Sequence, residues 1–136
     1  MKAAKRIGVW MDHSTAHLME YTVEDFKVVT IKSELEGLDN QDGLQHSESL
    51  LHHKENQSLK AYYKSLVEKI RDYDEIVLFG PTTAKTELFN LIREEHKYDH
   101  LKIEVKSADK MSYEEQHLFI KDYFSKLLNH ESTYTK

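Results

Sequence analysis

The chain has 136 residues, of which 39% are hydrophobic, with one proline, four glycines and no cysteine. This length is typical of one domain, and the lack of cysteine excludes disulfides, thiolate metal sites and a cysteine nucleophile. The apolar run 7–11 is too short for a signal-peptide core, and no apolar run approaches the roughly 18–20 residues of a membrane helix. We therefore expect one cytoplasmic domain over 1–136, without a membrane partner.

The formal net charge of −5 is confined to one part of the chain. Residues 34–56 hold six carboxylates and one lysine, so the totals of 24 acidic and 19 basic residues leave 18 of each elsewhere. A protein that binds nucleic acid mainly by charge has an overall basic excess or a basic stripe. The composition therefore argues against indiscriminate duplex binding.

The first part of the chain has the pattern of three antiparallel strands. Apolar residues alternate over 7–11, turn formers follow at 12–15, and a strand pattern resumes at 16–21, which predicts a hairpin. The β-branched run 26–31 predicts a third strand. Residues 34–56 then lose all periodicity. We predict a long polar loop there, and connections of this length are generally functional or disordered.

A helix and a buried strand follow this loop. Apolar residues recur at helical spacing over 57–73, with Asn56 or Ser58 near the start, which predicts an amphipathic helix. The unbroken apolar run 76–79 ends at Gly80-Pro81. A strand that is apolar on both faces is typical of a sheet covered on both sides.

Of two further predicted helices, one precedes the last strand in the chain and the other follows it. The first begins near Pro81, since proline at the first helical turn costs little, and ends near His96. We expect it to bury Ala84, Leu88, Leu91 and Ile92. Ile103 and Val105 alternate with charged residues, which predicts a strand near a sheet edge.

The closing helix completes the predicted fold. Ser112 and Glu115 have the spacing of a capping box that opens this helix, and we expect the polar tail 129–136 to fray. The element order is therefore β-β-β-α-β-α-β-α, which is a three-stranded meander followed by two right-handed crossover connections. This order predicts an α/β fold with a ribonuclease-H-like mixed sheet and helices on both faces.

Two acidic residues raise the question of a metal site. Asp12 and Asp109 follow the first and last predicted strands, which flank the fourth in such a sheet, and carboxylates so placed can hold metal ions for phosphodiester cleavage. The long loop adds further potential ligands, namely His46, Glu48, His52 and His53. Aspartate is also a favoured turn former, and loop histidines are often only solvated. A metal-dependent hydrolase or nuclease remains an alternative, while our first expectation is no metal and no other cofactor.

The turn after the buried strand is a candidate anion site. Thr82, Thr83 and Lys85 follow that strand and open a helix, where backbone N–H groups can hold a phosphate. The segment lacks the spacing of a P-loop or a dinucleotide fingerprint, so a capped strand-to-helix turn is the alternative interpretation. No Gly-x-Ser-x-Gly elbow is present, and we assign no catalytic residue.

Several short motifs resemble one family of translation proteins. The stretch Glu55-Asn56-Gln57-Ser58-Leu59-Lys60-Ala61-Tyr62-Tyr63 resembles the central domain of archaeal and eukaryotic class-1 release factors, where Gly-Gly-Gln-Ser opens a similar helix. Phe79-Gly80-Pro81 with Ala84-Lys85-Thr86-Glu87-Leu88, and the closing Val105-Lys106-Ser107-Ala108-Asp109, are similar to that domain and to Pelota. The chain thus resembles stand-alone bacterial relatives of this domain, some of which are labelled host-attachment or translational-machinery proteins.

The resemblance implies a function in translation without the hydrolytic step. Glu55 and Asn56 replace the two glycines, which permit backbone conformations and close approach that side chains forbid. Pelota also lacks the tripeptide and occupies a stalled ribosome without hydrolysis. We therefore expect a non-catalytic module that binds the ribosome or tRNA, with Gln57 as a tip residue.

The candidate contacts to RNA or the ribosome lie on and just before the first predicted helix. They are Lys54, Gln57, Ser58, Lys60, Lys64 and Arg71. The acidic loop 34–56 leaves a third alternative open, a protein-interaction adaptor or homo-oligomer that acts through this loop.

Overall fold

Five strands form one mixed sheet in a computed structural model that describes residues 4–21, 28–32 and 48–134. In chain order the elements are β1 (Arg6–Met11), β2 (Thr15–Glu20), β3 (Val28–Lys32), α1 (Glu48–Ile70), β4 (Glu75–Gly80), α2 (Ala84–Arg93), a 3-10 turn (His96–Tyr98), β5 (Lys102–Ser107) and α3 (Tyr113–Tyr134). The strand order is β3-β2-β1-β4-β5. The predicted α/β class and element order are confirmed, and the strand predicted near Ile103 does lie at an edge.

The centre of the sheet is the parallel pair β1 and β4. Ile7 pairs with Ile76 and Val9 with Leu78, whereas β1 and β2, and β2 and β3, are antiparallel. Every residue of β4 is buried, as expected for a strand that is apolar on both faces.

Helices cover both faces of the sheet, as predicted. On one face, α1 and α2 pack through Tyr62, Tyr63, Leu66, Ile70, Ala84, Leu88 and Ile92. On the other face, α3 packs Ile120 and Phe124 against Trp10, Val77 and Phe79. None of the helices in the described ranges is long and apolar enough to cross a membrane.

The start of α3 confirms the predicted capping box. The Glu115 N–H donates to Ser112 Oγ over 3.2 Å, and the Ser112 N–H donates to Glu115 Oε1 over 3.1 Å. These two bonds satisfy donors that the first turn of a helix would otherwise leave unpaired.

A polar and aromatic contact holds the beginning of α3 against the sheet. His17 stacks on Trp10 at 5.3 Å and lies 4.4 Å from the Tyr113 ring, centroid to centroid. Gln116 Nε2 donates to the Met111 carbonyl over 2.9 Å, so its Oε1 is the atom that accepts from His17 Nδ1, also over 2.9 Å. The imidazole therefore carries a proton on Nδ1.

Two glycines allow close approach within this core. A Cβ at Gly8 would lie 2.3 Å from Ile120 Cγ1, so β1 could not approach α3 as closely with any other residue. At Gly80 a Cβ would lie 2.2 Å from the Met11 carbonyl oxygen, and φ is 150°, a conformation that L side chains rarely adopt.

The predicted boundaries of two segments are wrong. Helix α1 begins at Glu48, so residues 48–56 of the predicted loop are helical, and Asn56 and Ser58 lie inside the helix rather than near its start. Good helix formers such as leucine, lysine and glutamate extend a helix once its packed part is nucleated. Helix α3 continues to Tyr134, through part of the tail 129–136 that we expected to fray. Loop residues 34–47 lie outside the described residues.

Replacing Gly8 tests the contact between β1 and α3. We expect Gly8→Ala to lower the free energy of unfolding by about 1–3 kcal/mol, because the added methyl overpacks against Ile120. In an Ile120→Ala background the same change should cost much less, since the methyl then fills vacated space. Urea denaturation of the four variants measures both values, and an equal cost in the two backgrounds would refute this explanation.

Candidate functional site

Three of the predicted contact residues meet in an open groove of about 520 Å³ between α1 and the C-terminal end of α2. Lys60, Lys64 and Arg71 share one stripe of α1, because residues four and seven positions apart return to nearly the same helix face. All three are exposed. Within the described part of the chain none of them forms an ion pair. We call this stripe the basic wall of the groove.

The other predicted contacts are not brought into this groove. Ser58 is only 6% exposed, which excludes it as a surface contact and corrects that prediction. Gln57 is exposed but lies well inside α1 rather than at the tip of a loop. Lys54 also belongs to α1, but its side chain is not among the side chains that the structure describes.

The opposite wall of the groove was not predicted from the sequence. It consists of Leu91 at the end of α2, followed by Glu94, Glu95, Lys97 and Tyr98. We expected Leu91 to be buried, but it is 38% exposed. Neighbouring helix positions point about 100° apart, so the core takes up Ile92 and leaves Leu91 at the rim.

The position of this wall is fixed by Arg93. Its guanidinium donates to the carbonyls of Tyr98 and Leu101, over 3.2 and 2.8 Å. Because both acceptors lie at or just beyond the 3-10 turn, these bonds hold that turn against the end of α2. The Lys97 ammonium lies 5.1 Å from the Tyr98 ring centroid and 3.5 Å from Glu95.

A second polar cluster lies where β1 and β4 end, and it also escaped prediction. Glu87 accepts hydrogen bonds from Tyr63 Oη (2.7 Å), Thr83 Oγ1 (2.9 Å) and His13 Nε2 (3.2 Å). Burial acts to raise the pKa of Glu87, but the hydrogen bonds from Tyr63, His13 and Thr83 outweigh it and lower that pKa. Burial, followed by the bond to Glu87, raises the pKa of Tyr63. The cluster therefore joins the β1–β2 hairpin, α1 and α2.

Asp12 acts as a turn former, which was the alternative to a metal ligand. Its Oδ1 accepts from the backbone N–H groups of Ser14 and Thr15, both over 2.8 Å. The carbonyl of Asp12 also accepts from Tyr62 Oη over 2.9 Å. Burial raises the pKa of Tyr62, and the charge of Asp12 adds to this effect. The hairpin is thus held to α1 at the point where β1 ends.

The described residues supply no ligand set for the metal-dependent alternative. Asp109 is exposed beyond the end of β5. Among the side chains that the structure describes, which belong to 4–21, 28–32 and 57–128, no three His, Asp or Glu side chains are grouped to hold a metal ion. His46 lies outside these ranges, and Glu48, His52 and His53 are helical residues with side chains outside the described ones.

The side-chain groups of the predicted anion site already form hydrogen bonds with neighbouring residues of the protein. Lys85 is 6% exposed and donates to the Thr82 carbonyl. Thr82 Oγ1 accepts from the Ala84 N–H over 3.2 Å, and Thr83 Oγ1 donates to Glu87. The Glu87 carboxylate therefore occupies the place beside the α2 N-terminus where a bound anion would be stabilised. This arrangement favours a strand-to-helix turn, the alternative interpretation of the segment, over an anion-binding site.

Three solved structures, two of Pelota proteins and one of an archaeal translation termination factor, share this fold. Residues covering 98% of this chain match 38% of Archaeoglobus fulgidus Pelota with a TM-score of 0.56 and 8% identity. An archaeal translation termination factor matches 96% of this chain over 42% of its own length, with a TM-score of 0.53 and 10% identity. Thermoplasma acidophilum Pelota matches 81% of this chain over 30% of its length, with a TM-score of 0.54 and 14% identity.

These matches establish a shared fold. The chain spans less than half the length of each of these proteins, so their whole-protein activities are not shown for it. Comparisons with protein-family models and with curated proteins give no match. The resemblance inferred from the motifs is confirmed for the fold, whereas a bacterial origin stays a prediction.

The lowered pKa of Glu87 predicts a pH-dependent contribution to stability. Ionised Glu87 stabilises the fold above its unfolded pKa near 4.5, and this contribution is lost as the pH falls through the lower folded value. We expect Glu87→Gln to cost about 1 kcal/mol at pH 7, since its 44% exposed side chain is screened by water. Below about pH 4 the difference from the wild type should shrink.

Urea denaturation at neutral and acidic pH measures this change. Glu68→Gln is the matched control, because Glu68 is exposed on α1 and makes no hydrogen bond or ion pair within the described part of the chain. A Glu87→Gln penalty that is equally large at both pH values would contradict the assignment.

Proposed function

We propose that this chain is a non-catalytic module of the translation machinery that docks on the ribosome or on tRNA through its basic wall. The observation that carries the proposal is the fold match over 96–98% of the chain to an archaeal translation termination factor and to an archaeal Pelota. The match alone concerns architecture. The step to function rests on the motifs and on the surface that this architecture presents.

The basic wall has the properties of a surface that contacts phosphates. Lys60, Lys64 and Arg71 extend over about 16 Å of helix, at 1.5 Å per residue. Since none of the three forms an ion pair within the described part of the chain, each cation is available to displace counterions from a nucleic acid. Such binding would weaken as the salt concentration rises.

The stretch around Gln57 supports a role without hydrolysis. Residues 55–58 occupy the interior of α1, where Glu55 and Asn56 stand in place of the two glycines of release factors. A helix interior fixes the backbone, whereas the glycine pair permits conformations that other residues avoid. Docking through the helix surface is therefore favoured over insertion of a reactive tip. Self-association through the acidic loop stays a prediction, because residues 34–47 of it lie outside the described ranges.

Co-sedimentation with ribosomes at low and moderate salt tests the proposal. We expect the wild type to sediment with ribosomes, and the triple variant Lys60→Gln, Lys64→Gln, Arg71→Gln to bind at least about tenfold more weakly through loss of phosphate contacts. The matched control is Lys102→Gln, Lys110→Gln, Lys121→Gln, which makes the same change in net charge at exposed positions outside the groove.

Two results would overturn this proposal. A wild-type protein that stays in the supernatant at both salt concentrations would exclude ribosome docking. An equal loss of binding in the control variant would show that net charge, rather than the basic wall, governs sedimentation.

A further inference from the structure

The groove has walls of opposite charge and an apolar floor. The α1 side presents the three cations of the basic wall and one carboxylate, Glu68. The α2 side presents Glu94 and Glu95 against Lys97, which is already paired with Glu95. We call the α2 side the acidic wall.

Apolar side chains lie between the two walls. Val67 and Tyr98 are half-buried, Ile92 is buried, and Leu91 at the rim is 38% exposed. Leucine at this exposure leaves apolar surface that a partner would remove from water, at roughly 25 cal/mol for each Å² buried. The floor therefore favours a ligand with an apolar face.

The combination of a basic wall, an acidic wall and an apolar floor is unfavourable for binding a polyphosphate backbone. A nucleic-acid strand seated in the groove would neutralise the basic wall but would face Glu94 and Glu95 at close range. Like charges across an interface are unfavourable and act against such a partner. An amphipathic helix has the complementary arrangement, with an apolar stripe between two charged edges of opposite sign.

We propose that this groove binds an amphipathic helix of a protein partner, with the acidic edge of that helix on the basic wall and its basic edge on the acidic wall. The inference rests on the proposed function in placing the partner on the ribosome, and it differs from that function in assigning the groove to a protein helix instead of a phosphate backbone. Leu91 is the apolar anchor of the groove.

The groove is held in shape before any partner arrives. The bonds from Arg93 fix the acidic wall, and the bond between Tyr63 and Glu87 ties α1 to α2 below the groove. Rigid walls reduce the ordering cost of binding.

Fluorescence anisotropy with a synthetic peptide tests this inference. The probe is a labelled helix of about five turns with leucines at i, i+3, i+4 and i+7, glutamates along one edge and lysines along the other. A peptide with lysines on both edges is the first control, and a single-stranded oligouridine RNA is the competing probe. We expect the wild type to bind the mixed-edge peptide about tenfold more tightly than either.

Substitution of the anchor separates a protein site from an RNA site. Leu91→Gln should weaken binding of the mixed-edge peptide about tenfold, equivalent to 1.4 kcal/mol. Leu118→Gln is the matched control, because Leu118 is 62% exposed on α3, away from the groove, and should leave peptide binding unchanged. Thermal unfolding checks that both variants are folded.

The outcomes distinguish this inference from the proposed function. If ribosomes bind the wild type and Leu91→Gln equally well, the helix-binding inference fails while ribosome docking stands. If RNA binds more tightly than the peptide and Leu91→Gln has no effect, the groove is an RNA site. If the peptide binds with the expected dependence on Leu91 but ribosomes do not bind, the proposed function fails and the helix-binding groove stands.

Discussion

The parallel pairing of β1 with β4, buried on both faces, is the constraint on which the remaining structure depends. Strands in this position require a helical layer on each side, and Gly8 and Gly80 provide the close approach that this packing demands. Because both strands run in the same direction, their carboxyl ends reach the same edge of the sheet. His13 and the residues that begin α2 are thereby brought together.

Glu87 connects the paired ends of β1 and β4 to the helices at the surface. Its carboxylate joins the hairpin after β1, the middle of α1 and the first turn of α2. The groove lies between α1 and α2, and Tyr63, which donates to Glu87, also lines it. The contact at the sheet edge therefore helps to set the spacing of the two helices that form the groove.

Sequence patterns predicted the features that depend on interactions between residues close together in the chain. The apolar run 76–79, the capping pair Ser112 and Glu115, and the helical stripe that includes Tyr62 all follow from neighbours within one or two turns. The start of α1 was missed because residues 48–56 are mostly polar, and the adjacent Leu50 and Leu51 do not form a helical period.

The acidic wall and the Glu87 cluster could not be predicted for a different reason. His13 and Glu87 are 74 positions apart in the chain, and no periodic pattern connects them. Leu91 fits the spacing of the buried stripe of its helix, but α2 is packed so that Ile92 is buried and Leu91 is 38% exposed. Features of this kind depend on tertiary packing. The hydrophobic periodicity of a single sequence does not show which helices and strands come into contact.

The stack of Trp10 on His17 gives the molecule an intrinsic optical reporter. Trp10 is the only tryptophan in the chain, and its indole packs between the sheet and α3 beside an imidazole that Gln116 holds in one tautomer. Separation of α3 from the sheet would expose the indole to water and shift its emission to longer wavelength. The docking of one helix can thus be followed in the unmodified protein, independently of the groove on the opposite face.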